Sequence, residues 1–232
     1  MKPEERERQL LEVAQRMFVE RGYQGTAMED IARAAGVTRP VVYKLFGNKD
    51  GIYLACLKKA REVLNTYIIE RALEGNGLQG RLRGGIEGYF SFVEFERDAF
   101  RFLYDSGAAV AGPAAQAAGQ LRFDTVNRIA FLLDDLKGVM PEEEIVATAH
   151  ALSGAGEQLA KWWLTQPALP KATVVNTMFN LLWAGLVNHQ QYCLRCRRTR
   201  EVKVVGDDFT GRICGAHKSG VKVGGSHLYH RC

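Results

Sequence analysis

Thr26-Ala27-Met28-Glu29-Asp30-Ile31-Ala32-Arg33-Ala34-Ala35-Gly36-Val37-Thr38-Arg39-Pro40-Val41-Val42-Tyr43-Lys44-Leu45-Phe46, followed by Gly47-Asn48-Lys49-Asp50, spells two short helices joined by a tight corner. Thr26 is placed to cap the first, with Glu29 three residues on completing a capping box for two orphan backbone N–H groups. Met28, Ile31, Ala32 and Ala35 then share one face at helical spacing. Gly36 stands where the chain must enter the left-handed region, and Val37 plugs the corner. Thr38 is placed to cap the second helix, Pro40 suits its first turn, and Val42, Leu45 and Phe46 make its inner face. Such a pair is either a helix-turn-helix for DNA or an ordinary helical corner with a solvated face.

The residues left pointing outward are those a recognition helix needs. Arg39 can pair with a guanine edge and Val41 can touch a thymine methyl, while Thr38, Tyr43 and Lys44 also face out and the last two can reach phosphates. Lys49, beside the cap Asn48, adds a phosphate contact at the start of the next helix. The candidate DNA-contacting set is therefore Thr26, Thr38, Arg39, Pro40, Val41, Tyr43, Lys44 and Lys49.

Upstream, Leu10, Leu11, Ala14, Met17 and Phe18 form a helical stripe that stops at Gly22, which makes a three-helix head. Phe18 through Gly22-Tyr23, Thr26 through Val37, and Tyr43, Phe46 and Lys49 stand in register with the hallmark of the TetR/AcrR family of bacterial transcriptional regulators. The chain resembles that family over about residues 5 to 57. The resemblance implies an all-α protein in which a DNA-binding head joins, through a long helix, a helical domain that binds an effector and dimerises. The expected domains are 1–50 for the head, 51–190 for the effector and dimer domain, and 191–232 for a separate tail.

Composition agrees with a packed protein: 232 residues at 47% hydrophobic content suffice for a core. The longest clean apolar run, Leu181 to Val187, is too short to span a bilayer. Lys2, Arg6 and Arg8 alternate with Glu4, Glu5 and Glu7 with no apolar stretch behind them, so neither membrane nor export is expected and the cytoplasm is the expected compartment. No spacing supplies a nucleophile and base or an open metal site; His150 and Glu157, seven apart on one helix, are poor evidence for an enzyme.

From Asp50 to His189 the pattern is helical. One long helix runs to the break Gly75-Asn76-Gly77, and a segment from Leu82 to Phe102 carries Tyr89, Phe90, Phe92, Phe95, Phe100 and Phe102. Those rings either line a pocket for an apolar ligand or pack as plain core. The candidate pocket residues are Phe90, Phe95, Phe102, His150 and Trp162. A loop from Ser106 to Ala118 precedes a helix from about Gln120 to Lys137. The last two helices, Glu142 to Leu164 and Lys171 to His189, resemble the pair through which the family dimerises as a four-helix bundle, with Ser153, Gly154, Ala155 and Gly156 allowing close approach. The family resemblance implies a homodimeric repressor on a palindromic double-stranded DNA operator, released by a small apolar effector.

A second pattern begins at Cys193-Leu194-Arg195-Cys196, followed after seventeen residues by Cys214-Gly215-Ala216-His217. Paired Cys-x2-Cys and Cys-x2-His match a structural zinc ribbon held by Cys193, Cys196, Cys214 and His217, with His227, His230 or Cys232 as alternatives for the fourth ligand. Glu201 to Val205 and Phe209 to Ile213 have strand character, so 192–232 is expected to be a small β module stapled by zinc. The thiols can instead form a redox switch, or be incidental. A regulator that senses metal or redox state through this module is the alternative reading. Residues 193–232 hold nine Lys or Arg against three Asp or Glu, and the rest of the chain 22 against 23, so the whole basic excess lies in the tail. That tail can add phosphate contacts or be a solvated or docking surface.

Overall fold

The hydrophobic stripe of the N-terminus folds as expected into α1 (Pro3–Arg21), which buries Leu10, Leu11, Ala14, Met17 and Phe18. The computed structural model describes residues 3–104, 113–138 and 140–200. α2 (Met28–Ala34) buries Met28, Ile31 and Ala32. α3 (Arg39–Phe46) follows across a corner in which Gly36 adopts φ +66° and Val37 N–H donates to Ala32 O over 3.0 Å. This six-residue closure satisfies an orphan carbonyl and needs the residue without a Cβ. Only Val42 of α3 is fully buried, whereas Leu45 is 42% exposed. The expected inner face of α3 is thus narrower than Val42, Leu45 and Phe46 together.

Two expected caps are not formed. α2 starts from Ala27, which makes no side-chain cap, because Thr26 turns its hydroxyl inward to Gly22 O (2.9 Å) and Met17 O (3.2 Å). Thr26 therefore ties the end of α1 to the start of α2. Thr38 holds the N-cap position of α3 without a side-chain bond. Asn48 does cap the next helix, accepting from Gly51 N–H at 2.8 Å.

α4 (Lys49–Leu73) runs unbroken from the head into the rest of the protein, so the expected boundary at residue 50 falls inside a helix. Its partner is α5 (Gly77–Phe95). A Cβ added at Gly84 would land on the carbonyl of Arg71, and one at Gly88 on the carbonyl of Tyr67. As one index rises by four the other falls by four, so the helices run antiparallel with their backbones touching. The expected single segment Leu82–Phe102 is broken at Glu96, where φ −117° and ψ 46° leave the helical region, and α6 (Arg97–Tyr104) turns away. α6 packs against α1 and α4.

α7 (Pro113–Leu132) begins within the segment expected as a loop, with Pro113 at its first position. It ends before the expected Lys137, in a 3-10 turn at Asp134–Leu136. α8 (Glu142–Trp163) opens with three glutamates, favourable at a helix N-terminus. α9 (Lys171–Arg200) lies across α5 and α8. It continues well past His189, so Cys193 and Cys196 fall on a helix where a β module was expected. The remaining Cys/His positions, Cys214, His217, His227, His230 and Cys232, lie outside the described residues, as do the expected strands. The described residues are all-α apart from an isolated bridge between Lys137 and Met140, and no helix among them is long and apolar enough to cross a membrane.

Candidate nucleic-acid interface and effector cavity

The exposed side of α3 carries Thr38, Arg39, Pro40, Tyr43 and Lys44. Arg39 is paired with Glu29 of α2, and Tyr43 donates to the same carboxylate oxygen at 3.3 Å. Glu29 is held below the ordinary carboxyl range, first by its own backbone N–H and then by Arg39 and Tyr43. Lys49, at the first turn of α4, sits with its ammonium 4.3 Å above the Tyr23 ring, while the Tyr23 hydroxyl bonds Asp50. Burial and Asp50 push that phenol to about 12. The exposed side of α3 thus presents a guanidinium, an ammonium group and a phenol, donors for phosphates and base edges, with the Lys49 ammonium at the first turn of the following helix. Val41 is half-buried and packs on the core, and Thr26 is 1% exposed. Of the expected set, Thr26 is therefore a strut inside the head and not a surface group.

A second feature lies among α4, α5, α6, α7, α8 and α9. Leu64 and Ile68 of α4, Leu82 and Ile86 of α5, Ile129 and Leu132 of α7, Leu152 of α8 and Met178 of α9 wall an apolar cavity. Arg81, Tyr89, Tyr104, Thr125 and Ser153 also line it. Its open volume is about 70 Å³ in this conformation, small for a ligand site. The Tyr89 hydroxyl is buried, and burial with Tyr104 and Glu157 nearby raises it well above the ordinary tyrosine value.

The cavity and the head meet at α6. Tyr104 lines the cavity, and Phe102, two residues back, stacks on Phe18 of α1 at 6.0 Å and meets Tyr53 of α4 edge-on at 5.2 Å.

Two family models match the chain: the bacterial regulatory proteins of the tetR family over residues 10–56, and the tetracyclin repressor-like C-terminal domain over 78–185. The HTH-type transcriptional repressor Rv3405c of Mycobacterium tuberculosis is 34% identical over 148 residues, which are 56% of this chain and 79% of that protein. The chain belongs to the TetR family. The HTH-type transcriptional activator FasR of Mycolicibacterium smegmatis is 27% identical over 184 residues, 79% of this chain and 84% of that protein. A TetR-like transcriptional regulator from Rhodococcus sp. RHA1 superposes with a TM-score of 0.65 at 25% identity, covering 81% of this chain and 98% of that one. This TetR-family protein is a DNA-binding transcriptional regulator, and its relatives of known role are regulators and not enzymes.

The expected pocket residues of the TetR-family chain are not brought together. Phe90 is fully buried and packs edge-on against Trp163 at 5.8 Å, and Phe102 belongs to the aromatic joint with the head. Phe95 is 68% exposed beneath the Lys171 ammonium, while Trp162 and His150 face outward from α8. None of the five lines the cavity, whose wall is mostly aliphatic with Tyr89 and Tyr104 as its aromatic members. Helical periodicity marks a residue as inward-facing and does not say which of six surrounding helices it meets. Among the described residues no group of three His, Cys, Asp or Glu side chains is placed to hold a metal.

Proposed function

We propose that the protein is a homodimeric repressor whose α3 helices read a palindromic operator and whose release follows entry of a small apolar effector into the α4–α9 cavity. The carrying observation is that one helix, α4, both walls the cavity with Leu64 and Ile68 and begins within the head, at Lys49. A ligand too large for 70 Å³ selects a form with the walls parted. Because the backbones of α4 and α5 touch at Gly84 and Gly88, parting α5 from its neighbours drags α4. The aromatic contacts of Phe102 give a second link, through α6. Coupling of about 1–3 kcal/mol, or about 5- to 150-fold in operator affinity, is the usual scale of such a response.

The dimer reading rests on the outer faces of α8 and α9. Ala147, Ala151, Gly154, Ala155 and Trp162 are exposed at helical spacing on one, and Leu181, Ala184 and Gly185 on the other. These uncharged stripes allow two helix pairs to approach closely. Selection of duplexes bound from fragmented genomic DNA, with sedimentation of the complex, tests the reading. An inverted repeat occupied by an even number of chains is expected. A single asymmetric site bound by one chain would contradict it.

A further inference from the structure

One polar atom of the cavity wall is left over. The Tyr89 hydroxyl on α5 is buried and makes no hydrogen bond among the described residues, an uncommon state for a buried donor. The ring itself is fixed. It packs edge-on against Phe90 at 5.3 Å, and a Cβ placed on Gly156 of α8 would stand 3.4 Å from its Cε1 and 3.6 Å from its Cζ. The hydroxyl-bearing end thus rests where α8 carries no side chain, and Tyr89 and Gly156 both line the cavity. Tyr104 of α6, another lining residue, stands beside the same hydroxyl. Glu157, next along α8, is also near it and is paired with Lys161 at 2.8 Å. Burial first, then Tyr104 and Glu157, keep the phenol protonated well above the ordinary tyrosine value, so Tyr89 holds a proton to donate. Arg81, the one charged side chain among the described lining residues, lies eight residues back on α5, about 12 Å along the helix, and is already paired with Asp135. Arg61 donates to Thr125 Oγ1 at 2.6 Å and does not line the cavity.

We infer that the effector is an uncharged amphiphile whose carbonyl or ether oxygen accepts a hydrogen bond from Tyr89, with its apolar part against Ile86, Leu152 and Met178. The inference rests on the effector reading above and adds the polar group. The three apolar residues are the neighbours of that hydroxyl: Ile86 lies one turn before Tyr89, Leu152 one turn before Gly156, and the Met178 Cε would meet the same Gly156 Cβ at 3.4 Å. Because the phenol is already out of water, an acceptor gains the bond without a further desolvation cost on the protein side. A pure hydrocarbon would leave the hydroxyl unpaired. A carboxylate would come beside Glu157 at an end that no cation lines.

Calorimetric titration of the full chain with decan-2-one, decanoate and decylamine, with thermal unfolding of the free protein alongside, tests this. Decan-2-one is expected to bind about fivefold or more tightly than the two charged compounds. Tyr89→Phe removes the hydroxyl alone. It should weaken decan-2-one by about two- to tenfold, the scale of one hydrogen bond, and leave the Tm of the free protein unchanged or raised, since no bond within the fold is lost. A lowered Tm in Tyr89→Phe with decan-2-one binding unchanged would make the hydroxyl a structural group serving the fold or a buried water only, and would overturn the inference. Decan-2-one and decanoate binding equally, both indifferent to Tyr89→Phe, would overturn the polar group and leave the apolar effector standing. Binding of none of the three would overturn both.

Discussion

The guanidinium of Arg39 on α3 is paired with the carboxylate of Glu29 on α2, so the residue best suited to read a guanine is already engaged by its own head. Tyr43 donates to the same oxygen. On the proposed reading, operator binding opens or shares this contact, and Glu29 would place a negative charge beside the DNA. Glu29→Gln should raise affinity for a scrambled duplex severalfold and narrow the gap between operator and scrambled DNA, as read by fluorescence anisotropy at several salt concentrations. Because the Glu29 pKa is lowered in the fold, its charged form is kept above the usual carboxyl range and lost only as pH falls through the lowered value. Affinity differences between wild type and Glu29→Gln should accordingly be constant from pH 6 to pH 8.

Gly84 and Gly85 are neighbours with opposite surroundings. A Cβ at Gly84 strikes the α4 backbone, whereas one at Gly85 meets Ile68, Ala72 and Leu132 side chains at 3.7–3.9 Å. Gly84→Ala should destabilise the protein by about 1–3 kcal/mol or more, as should Gly88→Ala. Gly85→Ala should instead be neutral to stabilising by up to about 1 kcal/mol. Because Gly85 lines the cavity, Gly85→Val should also blunt the effector response. Urea denaturation of the three alanine variants orders them, and a destabilised Gly85→Ala would contradict the packing described.

Cys56 is fully buried on α4, its Sγ 3.5 Å from Leu11 O, and burial pushes its thiol from the ordinary 9.0 to about 12. The folded state therefore favours the protonated thiol. This contribution is complete below pH 9 and is lost progressively as pH rises toward 12. Tyr23, raised from 10.0 to about 12, acts in the same direction. Stability is expected to fall between pH 9 and pH 12, less steeply in Cys56→Ala. Iodoacetamide at pH 8 followed by peptide mapping should leave Cys56 unmodified in the native protein and label it in urea.

The head was legible because its signals are local. The stripe of α1, Gly36 at the corner, Pro40 and the Asn48 cap each act within a few residues. Thr26 lies in a Thr-x-x-Glu that imitates a capping box, but its real partners are Met17 O on α1 and Gly22 O just past its end, a contact that local spacing does not mark. The break at Glu96 carries no Gly or Pro and left no mark. Gly84 and Gly88 look like helix breakers until the antiparallel backbone of α4 is set against them. Phe102 finds Phe18 and Tyr53 from across the chain, and the cavity draws on six helices, so neither could be read from spacing along one.

On the proposed function, α3 reads DNA through Arg39 and Tyr43. Footprinting on the DNA flanking the encoding gene, with wild type beside Arg39→Ala and Tyr43→Ala variants of unchanged helicity, tests it most directly. Arg39→Ala is expected to cost about 1–3 kcal/mol and to relax specificity at one position of each half-site, and Tyr43→Ala to weaken binding evenly across sequences. Protection by both variants equal to that of wild type would contradict the assignment of α3.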